Sequence, residues 1–176
     1  MPTEGQSGSA AGGQLEEKID LSAECNAKLQ QAQALVESGQ LREALALLAA
    51  LEKRCRVGND NTSLVRVCEA SLQFCKDAGD KEALVATLQT LTTRRSQKSS
   101  AVRALVHKAL PWCLEEGYMP LAVEPSQKEV RDKLVVALRD ITDGKIFLEA
   151  ERAHLTRALA TIKVCTLERI RCTHRL

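Results

Sequence analysis

VESGQLREALALL, residues 36–48, is followed in the same chain by KDAGDKEALVATL, residues 76–88. Each copy sets a glycine, Gly39 or Gly79, in a short polar break, and the two glycines stand 40 residues apart. Each break leads into a new apolar run containing Glu-Ala-Leu, at Glu43, Ala44 and Leu45 and again at Glu82, Ala83 and Leu84. Glycine at a helix end takes a positive φ without cost, so each break reads as a tight turn between two helices. TDGKIFLEAERA, residues 142–153, is a looser third copy around Gly144. A helical hairpin cannot bury its own apolar face, and hairpins therefore stack. Paired helices at this period predict an α-solenoid, with a closed helical bundle as the alternative.

Working outward from the repeat, apolar spacing predicts about seven helices. The first covers 16–37, with Cys25, Leu29, Ala32 and Val36 on one stripe. The second starts near Gln40 and has the cleanest stripe: Leu41, Ala44, Leu45, Leu48, Leu51 and Cys55. VGNDN, residues 57–61, ends it, and Asp60 or Asn61 can cap the third helix. That helix carries Leu64, Val67, Cys68, Leu72 and Cys75. Asp80 caps a fourth with Leu84, Leu88 and Leu91. A fifth shows Val102, Leu105, Val106 and Ala109, and Pro111 must kink or end it. Residues 116–126, with Gly117, Pro120 and Pro125, read as a loop. A sixth helix follows with Val130, Leu134, Ala137, Leu138 and Ile141. The seventh, 144–163, aligns Leu148, Leu155, Leu159 and Ile162, and places Glu151 close to that stripe. A carboxylate there needs a partner or a route to water.

Composition agrees with an all-α fold: of 176 residues only four are proline and 2% aromatic. The scarcity of aromatics removes the stacking platforms that single-stranded nucleic acid needs. Net charge is +2 and says little. The seven cysteines include no CxxC pair, and the polar, Gly-rich start is not a secretory signal. Reduced thiols are expected, with Cys25, Cys55, Cys68 and Cys75 acting as small core hydrophobes. No apolar run approaches the roughly 20 residues that span a bilayer.

Catalytic chemistry finds no support. There is no Gly-rich phosphate loop, HExxH or GxSxG, and His107, His154 and His174 stand far apart. Cys165, Cys172 and His174 match no zinc spacing, and a frayed terminus is the plainer reading. No catalytic, cofactor-binding or metal-binding residue is assigned. The basic stretch Arg94, Arg95, Lys98, Arg103 and Lys108 reads as a solvated face or an electrostatic patch. Arg94 and Arg95 are candidate partners for Glu149 or Glu151. With Arg152 these four make the set of candidate structural or interface residues.

Two longer stretches carry a family resemblance. LTTRRSQKSSAVRALV (91–106) and DGKIFLEAERAHLTRALATIK (143–163) resemble the N-terminal region of the proteasome regulatory lid non-ATPase subunit 12 (p55) family, PCI-domain scaffold subunits. The resemblance implies a right-handed α-solenoid of stacked antiparallel, TPR-like hairpins. It implies a non-catalytic scaffold of the 19S lid, supporting ubiquitin-dependent degradation in cytoplasm and nucleus. The implied partners are other lid subunits, with the base and core particle as further candidates; nucleic acid, membranes and small-molecule substrates are not implied. The expected organisation is a disordered tail over 1–14, helical repeats over 15–163, and a divergent segment over 164–176, with the PCI domain absent. An array cut in mid-solenoid would expose apolar surface and self-associate. Alternatives are a related PCI complex such as the signalosome, or a free-standing adaptor that holds a peptide in its groove.

Overall fold

A computed structural model describes residues 19–173, with side chains described as far as residue 165. Seven α-helices follow in order: α1 (Ser22–Glu37), α2 (Leu41–Val57), α3 (Asn61–Asp77), α4 (Lys81–Thr93), α5 (Ser99–Ala109), α6 (Pro125–Thr142) and α7 (Glu149–Thr173). Short 3-10 turns, Leu110–Trp112 and Ile146–Leu148, follow α5 and precede α7. Among the described residues no strand forms, beyond one isolated bridge between Leu114 and Pro120.

The repeated glycines close their helices in the same way. Gly39 has φ +81° and Gly79 has φ +69°. At the first, the amides of Gly39 and Gln40 donate to the carbonyls of Val36 and Leu35; at the second, Gly79 and Asp80 donate to Lys76 and Cys75. This paired pattern satisfies the last orphan carbonyls of a helix. The α2–α3 turn repeats it with Asn59 at φ +54° and the Asp60 amide on the Cys55 carbonyl. Asparagine tolerates the left-handed region, so three successive turns share one geometry. Asp60 and Asp80 then cap α3 and α4, accepting from the amides of Ser63 (3.1 Å) and Ala83 (2.8 Å).

Each helix packs mainly on helices one or two places away in the chain. α1 lies on α2 and α3, α3 on α4 and α5, α4 on α6, and α6 on α7. That is an open stack of antiparallel hairpins, the all-α solenoid expected from the repeat. One buried cluster runs through it, including Leu48, Leu64, Leu72, Leu88, Leu105, Leu138, Leu148 and Leu155, all fully buried. Each such leucine contributes about 1.5–3 kcal/mol over an exposed one.

Local differences from the sequence reading have simple causes. α1 starts at Ser22, because Ile19 and Leu21 are strapped to the α2–α3 turn through Gly58 (2.9 Å) and the Asp60 carboxylate (3.0 Å); residues 16–18 lie outside the described residues. Pro125 opens α6 rather than lying in the loop before it, since a first-turn proline forfeits no helical hydrogen bond. Pro111 falls in the 3-10 turn beyond the end of α5. The frayed terminus gives way to helix, because α7 continues past Lys163 to Thr173 with Cys165 exposed on it. The side chain of Cys172 and all of His174 lie outside the described residues.

Cys25, Cys55, Cys68, Cys75 and Cys113 are buried and unpaired. Burial pushes the thiols of Cys55, Cys68 and Cys113 up to about 12, which suppresses the nucleophilic thiolate.

Candidate functional site

Because neighbouring helices run antiparallel, the α2–α3, α4–α5 and α6–α7 connections share one edge of the stack. Side chains tie that edge together. Arg56 donates to the Arg95 carbonyl (2.9 Å), Lys98 to the Asn59 side chain (2.5 Å), and Arg103 to the Phe147 carbonyl (3.2 Å) while covering the Phe147 ring.

Beneath the edge sits Glu52, a charged residue only 1% exposed. It lies four residues from Leu48 and three from Cys55, so α2 turns it inward with its apolar stripe. Its Oε1 accepts from Arg56 Nε (3.0 Å) and Gln97 Nε2 (3.1 Å), and Arg94 Nη1 stands 3.0 Å from Oε2 as an ion pair off the line of a good hydrogen bond. Gln97 also donates to the Leu91 carbonyl (2.7 Å). The RRSQ turn, residues 94–97, is therefore pinned to the first hairpin by a buried carboxylate. It includes Ser96 at φ +60°, a conformation a serine holds only when its surroundings enforce it.

This placement corrects one expectation. Arg94 reaches Glu52 on α2 rather than Glu149 or Glu151, because the turn after α4 docks on the preceding hairpin. Arg95 is exposed and gives only its backbone carbonyl to the edge. Glu149 is exposed at the first position of α7. Glu151 is half-buried, and its partner is His107 of α5 at 2.7 Å. Burial alone would raise the Glu151 carboxyl, but its own backbone amide, His107 and the Arg103 charge outweigh burial and hold it below its ordinary value. Arg152 pairs with Asp143 (2.7 Å) across the turn before α7.

Two further features escaped the sequence reading. Glu52 was legible by the argument applied to Glu151, a carboxylate at stripe spacing. Stacking of Tyr118 on His154, with ring centres 3.5 Å apart, was not, because it brings an irregular loop onto α7. An open groove of about 900 Å³ runs along the α4–α6 contact. Val85, Val130 and Val136 line it, with a mixed-charge rim that includes the Glu129–Lys133 pair. Among the described residues no three His, Cys, Asp or Glu side chains gather to hold a metal ion, and no helix is long and apolar enough to cross a membrane.

An open stack of hairpins, tied along one edge by charged side chains, defines a helical-repeat interaction module. Comparison with known proteins makes this specific. The family model described as PSMD12/CSN4, N-terminal, matches residues 43–171, so the match spans α2 to α7 and includes 164–171. The chain is 33% identical over 144 residues to the 26S proteasome non-ATPase regulatory subunit 12 of Dictyostelium discoideum, covering 82% of this chain and 30% of that protein. It is 30% identical over 127 residues to homolog A of that subunit in Arabidopsis thaliana, covering 72% of this chain and 27% of the relative. It is 30% identical over 119 residues to the 26S proteasome regulatory subunit rpn501 of Schizosaccharomyces pombe, covering 68% and 25%. The chain belongs to the PSMD12/CSN4 N-terminal family. It spans less than a third of the length of these relatives.

Proposed function

We propose that the chain acts as a non-catalytic scaffold module of the proteasome regulatory-particle lid, supporting ubiquitin-dependent protein degradation. The observation that carries this reading is the family match across α2 to α7, with relatives named as non-ATPase regulatory subunits of the 26S proteasome. The fold supports it physically. A stack of hairpins offers long edges and faces for neighbours, and the buried charge here joins one hairpin to the next instead of facing a cleft. Other lid subunits are the proposed partners, the base and core particle are further ones, and cytoplasm and nucleus are the proposed compartments.

The family description also names CSN4, which keeps membership of a related complex such as the signalosome as a second reading. Purification of the tagged chain from cells with quantitative mass spectrometry separates the two. Lid subunits recovered in stoichiometric amount support the proposal. Recovery of signalosome subunits, or of an unrelated client alone, overturns it.

A further inference from the structure

Apart from its internal ties, the edge formed by the α2–α3, α4–α5 and α6–α7 connections has two unused properties. The first is apolar exposure. Ile146 is 92% and Val57 71% exposed, the highest values for large hydrophobic side chains among the described residues. Both stand where the chain turns, at positions the core does not require. The second is charge. Arg95, Lys98, Arg103 and Lys145 lie along the same edge, and none forms an ion pair with a carboxylate among the described residues. Lys98 and Arg103 bind neutral oxygens, Arg103 also acts at longer range on Glu151, whose direct partner is His107, and Lys145 reaches the Ile141 carbonyl.

The nearby carboxylates are largely engaged elsewhere. Glu52 is buried under Arg56 and Arg94, Glu24 pairs with Arg54, and Asp143 pairs with Arg152. Glu149 faces solvent at the start of α7, and Asp20 accepts from the amide and hydroxyl of Ser22 ahead of α1. Arg56, Arg95 and Lys145 all stand at or just past helix C-termini, where a cation offsets the dipole. Lys145 also binds a helix carbonyl, whereas the exposed Arg95 guanidinium makes no bond among the described residues, and that role leaves the two bare aliphatic side chains unexplained. Arg95 also rides on a turn pinned from below at Glu52, with Ser96 held at positive φ. A long side chain on a rigid mount loses less freedom when a partner engages it.

We infer that this edge is a docking surface for an acidic amphipathic helix of a partner protein, whose carboxylates meet Arg95 and its neighbouring cations while its apolar side chains cover Val57 and Ile146. Charge complementarity selects the sign of the partner, and the two aliphatic side chains supply the water-excluding contact that charges alone lack. Nucleic acid fits less well: aromatics are 2% of the chain, and none of the six edge side chains is aromatic. The inference rests on the edge itself and holds for whichever complex the chain enters.

The test places a benzophenone amino acid at Ile146 of the full chain in cells, with Gln40 on the opposite edge as control. Photocrosslinked segments are then sequenced. The expected adduct is a peptide rich in Asp and Glu with apolar residues at helical spacing. Its yield should fall at least tenfold in Arg95→Glu and in Val57→Asp, and persist in Arg95→Lys. Both edge residues are exposed, so unchanged circular dichroism and melting of these variants would exclude misfolding as the cause. Adducts no stronger than at Gln40, adducts to nucleic acid or to basic segments, or a yield indifferent to Arg95→Glu would each overturn the inference. Whether the partner is a proteasome subunit is read separately from the purification described above.

Discussion

At the residue scale, Glu52 is the most consequential side chain. A buried carboxylate meeting two arginines and a glutamine is costly to desolvate, and costlier to break by removing one member. Glu52→Ala should lose about 3 kcal/mol in urea unfolding, by leaving Arg94 and Arg56 around an empty position. Arg95→Ala, an exposed change in the same turn, should stay within about 0.5 kcal/mol. Glu151 and His107 should couple in a double-mutant cycle, whereas Glu151 and Arg95 should be additive. The Glu151 carboxyl is held below its ordinary value of 4.5, so its contribution is present above that pH and fades as pH falls through the lowered folded value. The gap in melting temperature between the parent and Glu151→Gln should therefore close on acidification below 4.5. A gap that widens in acid would contradict the assignment. The need of Glu151 for a partner was readable from its place beside the stripe. The identity of that partner was not, because it depends on how α5 and α7 meet across 44 residues of sequence.

At the element scale, the turns were the most legible part of the chain. Gly39 and Gly79 announced helix ends through the one property only glycine offers freely, and both adopt it. Asn59 makes the equivalent turn and went unseen as a repeat, because asparagine occupies the left-handed region without glycine's distinctiveness. A Cβ on Gly79 meets no atom within 4 Å, so only backbone strain opposes it. Gly79→Ala and Gly39→Ala, both at positive φ with open space for a Cβ, should each cost about 1 kcal/mol. Chemical denaturation of the two variants checks this, and clearly unequal losses would contradict the shared turn geometry. Helix starts were harder to place. Pro125 is compatible with either a loop or a first turn, and only the packing of α6 on α4 and α7 decides.

At the scale of the whole molecule, the stacked array followed from repetition plus the need of each hairpin to cover its neighbour. The charged ties along its edge did not: they span about one repeat, but which side chains meet there depends on how the turns dock on one another, which the repeat alone does not fix. The continuous core also governs thiol chemistry. Iodoacetamide under native conditions should modify Cys165 well before Cys25, Cys55, Cys68, Cys75 or Cys113, which should react only on unfolding, as peptide mass spectrometry would report. Rapid modification of Cys68 in the folded chain would contradict a packed α3. The proposed assembly role is tested most directly by sedimenting an extract of cells expressing the tagged chain through a glycerol gradient, with proteasome peptidase activity read in every fraction. The account predicts that the chain migrates with the 26S activity peak; a chain confined to the light fractions, away from all proteasome activity, would contradict it.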